Sequence, residues 1–96
     1  MGLPAARKDD LCTGHDCFPP RPAASGSENV YVNNRKSHRK GDTWKKHCCV
    51  LSCHASETAE GSATVFINGK RAARVQDPVA CGSVIMTGST NVYIGG

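Results

Sequence analysis

The apolar positions of this chain fall in short runs rather than long periodic stretches, and the runs repeat. Val30, Tyr31 and Val32 precede the polar pair Asn33-Asn34, and Val65, Phe66 and Ile67 precede Asn68-Gly69. β-Branched and aromatic residues suit a pleated strand, and Asn-Asn or Asn-Gly tolerates the positive φ of a two-residue turn. Each segment therefore predicts a short β-hairpin. The flanking residues extend the match. GSENVYVNNRKSHRKGD (residues 26–42) and GSATVFINGKRAARVQD (residues 61–77) align without a gap, with Gly, Ser, Val, Asn, Arg and Asp coinciding. Such self-similarity marks a repeated supersecondary unit.

A third copy begins at GSTNVYIGG (residues 88–96), and its counterpart lies at the other terminus. LPAARKDD matches KRAARVQD, so Ala5, Ala6, Arg7 and Asp10 correspond to Ala72, Ala73, Arg74 and Asp77. The first and last strands are expected to pair as two halves of one hairpin. That pairing would close three units into a ring of approximate threefold symmetry and shelter open strand edges. The expected fold is all-β, a single domain over residues 1–96. No helix is expected: ASETAEGSA (residues 55–63) is short, contains Gly61 and reads as a loop.

Such a ring can have little hydrophobic core. Only 39% of the 96 residues are hydrophobic and 5% aromatic, so a staple is expected from a metal, disulfides or a partner. Six cysteines and four histidines could supply one. The N-terminus, MGLPAARKDD, lacks the apolar core of a secretory signal, and no apolar run reaches membrane-spanning length. Neither a signal peptide nor a transmembrane segment is expected, which weakens the disulfide reading, because intracellular thiols are normally reduced. Net charge is +4, and half of the Lys and Arg residues cluster as Arg35, Lys36, Arg39, Lys40, Lys45 and Lys46. A basic cluster can bind phosphate. A solvated face is the simpler account.

The stretch HCCVLSCH, from His47 to His54, concentrates the candidate chemistry. The repeat sorts it. His15 follows Asp10 by five residues, His47 follows Asp42 by five, and Cys81 follows Asp77 by four. Residues at matching positions of a three-unit ring converge near its axis. His54 is the best fourth ligand, seven residues beyond His47, a distance that lets an irregular loop fold back. Imidazole and thiolate together suit zinc. The rival set replaces one histidine with Cys49 or Cys53. His38 stands where the other units have Ala6 and Ala73, and reads as a structural or surface histidine. Cys12, Cys17 and Cys48 receive no role, beyond packing near a metal for Cys48 and its neighbour. No HExxH and no nucleophile with a base is present, so one structural zinc per chain and no enzymatic activity are expected.

At this point the residues resemble a family. PAAR at Pro4–Arg7, its echo AAR at residues 72–74, TVFINGKRAARVQDPVACG and the closing GSTNVYIGG are similar to the PAAR proteins, as is GHDCFPP (residues 14–20). The likeness covers nearly the whole chain. It implies a small cone of β-hairpins with zinc near the apex, held by three histidines and one cysteine, which agrees with His15, His47, His54 and Cys81. It also implies a base that sits on a trimeric β-helical spike, one tip monomer per trimer. The tip would sharpen the spike of a contractile phage tail or type VI secretion system for membrane puncture, with transient contact with the target membrane. The expected location is thus a virion tail or a cytoplasmically assembled machine delivered outward. The middle unit departs from the family pattern, reading SHRKGD where AARxGD is usual. The alternative from another class is a small zinc-binding nucleic-acid module using the cluster at residues 35–46.

Overall fold

A computed structural model describes residues 2–96. It is all-β, and no helix occurs among the described residues. Ten strands form five two-stranded antiparallel ladders. The first repeat gives β4 (Tyr31–Val32) against β5 (Arg35–Lys36), and the second gives β8 (Phe66–Ile67) against β9 (Lys70–Arg71). The third hairpin is assembled from the two ends: β1 (Leu3–Pro4) pairs with β10 (Tyr93–Ile94). The turn pairs adopt the positive φ that the sequence predicts, at 54° and 65° for Asn33-Asn34 and 55° and 77° for Asn68-Gly69.

The three units are tied together by contacts that recur once per unit. The Ala6 amide donates to the Ala73 carbonyl, Ala73 to His38, and His38 back to Ala6, each at 3.0 Å. A closed triangle of main-chain bonds requires close backbone approach, and Ala6, His38 and Ala73 are fully buried. Just beyond it, each Arg-x-x-Asp segment folds onto itself. The amides of Arg7, Arg39 and Arg74 donate at 2.8 Å to Asp10, Asp42 and Asp77. Each guanidinium also grips the same carboxylate through Nε and Nη2, at 2.8–3.1 Å. These bidentate pairs are almost entirely buried, which satisfies charges that would otherwise be costly to desolvate. The residue before each aspartate has positive φ: Asp9 at 75°, Gly41 at 88° and Gln76 at 81°. Only the glycine occupies that region without strain.

The serines that open the repeats act as hooks. Ser27, Ser62 and Ser89 each accept a bond at 2.9 Å from the amide three residues on, at Val30, Val65 and Val92. Each hydroxyl then donates at 2.6 Å to the next unit, to Asn68, Gly95 and Asn33 respectively. The preceding glycines lie against backbone: a Cβ on Gly26, Gly61 or Gly88 would meet the carbonyl of Ser37, Ala72 or Ala5 at 2.8–2.9 Å.

Two expectations need correction. Residues 47–54 are not an irregular loop, and residues 55–57 do not belong to a loop. They lie in a long hairpin, β6 (Thr43–Cys49) against β7 (Ser52–Glu57). Polar and thiol side chains obscured this strand pair, because its faces are filled by histidine, cysteine and serine rather than apolar residues. Trp44 and His47 are three residues apart, which regular alternation would place on opposite faces. A register shift between them turns both inward, as a bulge does. Trp44 anchors the larger core cluster with Ala6, Cys12, Ala23, Ala73, Val79 and Ile85. Its indole donates to Thr58 Oγ1 at 2.9 Å, and Thr58 lies 2.7 Å from His38 Nε2. His38 Nδ1 faces the Ser25 carbonyl at 2.8 Å, which can only accept, so Nδ1 carries the proton and Thr58 donates to Nε2. His38 is therefore a structural core histidine, and burial lowers its pKa, favouring the neutral ring.

These clasps generate two expectations. Burial alone would raise the Asp42 pKa, but the Arg39 hydrogen bonds, with the electrostatic influence of nearby His38 and Arg39, lower it overall. The folded protein thus holds fewer protons than the unfolded chain near the ordinary carboxylate pKa. The stability Asp42 contributes is full above that value and is lost as pH falls through its lower folded value. Asp42→Asn should cost about 3 kcal/mol at pH 7 and flatten the acid limb of a denaturant-midpoint profile. Gln76→Gly should stabilise by about 0.5–1 kcal/mol, the relief of left-handed strain less the added chain entropy, measurable in the same unfolding experiment.

Candidate metal centre

Four side chains predicted from the sequence are brought together. His15, His47, His54 and Cys81 each offer a donor atom, and all of these atoms lie within 4.8 Å of one another. They arrive from three directions. β2 (Leu11–Cys12) and β3 (Arg21–Pro22) pair, and the excursion between them carries His15. Its backbone is a tight turn, with Phe18 donating to the His15 carbonyl at 2.8 Å and His15 to Phe18 at 3.1 Å. Gly14 is required there, since a Cβ would stand 2.2 Å from the Phe18 carbonyl oxygen. His47 and His54 face each other across the β6–β7 ladder. Cys81 sits in the turn closed by the Val79 amide on the Ser83 carbonyl at 2.8 Å.

The geometry suits a small cation. His54 Nε2 lies 3.2 Å from His15 Nε2 and 2.7 Å from His47 Nε2. With zinc–nitrogen bonds of about 2.0–2.1 Å, tetrahedral ligands would be separated by roughly 3.3 Å. His47 Nδ1 donates to the Pro19 carbonyl at 2.8 Å, which fixes the tautomer and leaves the Nε2 lone pair facing the cluster. Burial lowers the pKa of His54, and the nearby His47, His15 and Arg21 add to the effect, so its ring is kept neutral and able to donate. Burial alone would raise the Cys81 pKa. Bonds from the Ser83 hydroxyl and amide, the Arg21 charge and a bond from Ser56 outweigh it and favour the thiolate. Three imidazoles and one cysteine sulfur form a donor set that could hold a metal ion.

Two neighbours of the cluster escaped sequence reasoning. The Phe18 ring packs on all three imidazoles, with centroids 4.9, 4.8 and 4.4 Å from His15, His47 and His54. Arg21 is buried, and its guanidinium spans the site, donating to the Lys45 and His54 carbonyls and to Cys81 Sγ at 2.9 Å. Phe18 lies within GHDCFPP (residues 14–20), but only the folded chain shows that it covers the histidines.

The other cysteines lie apart from the donor set. Cys12 is a buried free thiol in the core, Cys48 pairs with Cys53, and Cys17 pairs with Cys49. The rival ligands Cys49 and Cys53 are thus engaged in disulfides, and the stretch from His47 to His54 contributes to both kinds of staple. The basic cluster is also partly consumed. Arg39 is folded onto Asp42, Arg35 donates to the Lys8 carbonyl at 2.9 Å, and Lys36 faces Glu28 at 3.7 Å.

Comparison with known proteins adds the decisive finding. The PAAR motif matches residues 45–87, which take in most of β6 and all of β7, the second repeat and Cys81. The chain is 49% identical over 77 residues to two Pseudomonas aeruginosa proteins, an NAD(P)(+) glycohydrolase toxin and a (p)ppApp synthetase toxin. The chain is a PAAR-repeat protein. Each of those alignments covers 74% of this PAAR chain but only 18% of the relative. A Burkholderia cenocepacia double-stranded DNA deaminase toxin is 35% identical over 72 residues, covering 75% of this chain and 5% of the relative. The chain thus spans less than a fifth of the length of these curated relatives.

The packing around the donors separates their neighbours. Phe18→Ala should weaken metal binding by about tenfold, the scale of outer-shell losses. His38→Ala, which removes an imidazole from the core rather than from the cluster, should leave metal affinity unchanged. Competition against a chromophoric chelator reads both.

Proposed function

We propose that this chain is a single PAAR domain over residues 1–96 that forms the metal-clamped tip of a contractile injection machine, a type VI secretion system or phage tail. It caps the blunt end of a trimeric β-helical spike and sharpens it for membrane puncture. The metal is one structural zinc per chain, bound near the apex by His15, His47, His54 and Cys81. The carrying observation is the cyclic repetition of contacts, above all the main-chain triangle of Ala6, His38 and Ala73. Three equivalent arms around one axis are what a threefold spike end demands of a single chain.

The faces of those arms support the same reading. Tyr31, Phe66 and Tyr93 occupy one repeat position and are 55%, 54% and 60% exposed, beside the exposed Val30, Val65 and Val92. Aromatic and β-branched residues displayed three times suit a partner that offers three equivalent apolar edges. Membrane passage in this reading is by mechanical delivery, and no described helix is long and apolar enough to cross a membrane. The glycohydrolase, synthetase and deaminase activities belong by name to the relatives, of which this chain matches 18% or less. They are not assigned here, and the proposed role is structural rather than enzymatic.

Two measurements test the proposal. Elemental analysis of the folded protein should give one zinc per chain, and alanine at His15, His47, His54 or Cys81 should each weaken binding by more than about 100-fold, beyond outer-shell effects. A cooperative fold with no zinc would defeat the metal assignment. Mass measurement of a complex with a spike trimer from the same source should give one tip per three spike chains. A 3:3 complex, or none, would defeat the tip assignment.

A further inference from the structure

We infer that Cys17 and Cys49 form a redox latch that locks the His15 loop onto the strand carrying His47. The inference rests on the proposed metal centre and concerns what holds it shut. Cys17 lies two residues after His15, and Cys49 lies two residues after His47. On a strand, residues two apart share a face, so Cys49 points to the same side as His47. The two cysteines pair with their Cα atoms 5.3 Å apart, within the usual span for a disulfide, and join segments 32 residues apart in sequence.

The loop's other attachments to that strand are non-covalent. The reciprocal backbone bonds of His15 and Phe18 are internal to it. What reaches β6 is the hydrogen bond from His47 to the Pro19 carbonyl and the packing of the His15 and Phe18 rings against His47, and the sulfur bridge adds the one covalent tie. The second pair serves as a built-in contrast. Cys48 and Cys53 lie on the outer face and join strands that the ladder already aligns, with Cα atoms 4.1 Å apart. Breaking that bridge leaves His47 opposite His54, whereas breaking the first leaves the arm that delivers His15 held by non-covalent contacts alone.

Cys17 is exposed and Cys49 half-buried, so an oxidant can reach them. The oxidant is of the disulfide class, either a small molecule or a protein. One protein thiolate attacks it, forming a mixed disulfide and releasing one thiol. The second protein thiolate attacks the protein sulfur of that mixed bond and releases the other thiol. Two cysteines are oxidised, one external disulfide is reduced to two thiols, and two protons leave the cysteines. In a reducing compartment the latch opens by the reverse exchange. The tip would thus be assembled with an open loop and locked after reaching an oxidising one.

The test compares zinc-loaded protein kept reduced by a phosphine with protein oxidised by a small-molecule disulfide. Alkylation and mass analysis count the thiols, and transfer of zinc to a chromophoric chelator gives the release rate. Release is expected to slow at least tenfold on oxidation. Cys17→Ser or Cys49→Ser should abolish that difference, whereas Cys48→Ser with Cys53→Ser should retain it. Equal rates in both states, loss of the effect only in the Cys48 and Cys53 variant, or alkylatable Cys17 and Cys49 after oxidation would each overturn the latch. If neither state binds zinc, the metal centre itself is wrong. Amide exchange of residues 14–18 then decides the latch separately: at least tenfold slowing on oxidation supports it, and no change overturns it.

Discussion

Three main-chain hydrogen bonds join Ala6, His38 and Ala73 in a closed triangle, and they set the spacing of everything around them. Backbones meet this closely only where side chains are small or find a pocket of their own. Alanine meets the demand at two corners. At the third, His38 is accommodated because Thr58 and the Ser25 carbonyl satisfy both ring nitrogens and Trp44 packs against it edge-on. The Arg-Asp clasps follow from the same geometry. Each chain segment leaving the triangle must turn sharply, and an aspartate that binds both the amide and the guanidinium three residues back fixes that turn. With so few large apolar residues, buried ionic and hydrogen-bonded clasps carry the role that a hydrophobic core has in larger domains.

Repetition at one level permits irregularity at another. The clasps and serine hooks are nearly interchangeable among the units, but the segments after the aspartates diverge. One becomes a loop bearing His15, one a long hairpin bearing His47 and His54, and one a tight turn bearing Cys81. A symmetric trimer would present its donors in threes. A single chain can place three imidazoles and one thiolate around one point, the number that tetrahedral coordination requires. The register shift between Trp44 and His47 is part of this divergence, since it lets one strand serve the core and the donor cluster on the same face.

The repeats, the hairpin turns and the joining of the two ends were legible from the amino-acid order, as was the set His15, His47, His54 and Cys81 that the fold brings within reach of one another. All of these rest on local chemistry or on correspondence between units. Asn-Gly fixes a turn without reference to the rest of the chain, and matched positions converge once the units form a ring. Tertiary structure alone decided the remainder. The β6–β7 hairpin was invisible to apolar patterning because its inward positions are occupied by donors and thiols. Phe18 and Arg21 belong to the cluster only because a loop and a strand distant in sequence fold over it. The pairing of Cys17 with Cys49 and of Cys48 with Cys53 was likewise undetermined, since six thiols permit many partners. Pairing depends on which Cα atoms approach and which way their side chains point, and that is settled only when β6 and β7 adopt their register and the His15 loop closes against them.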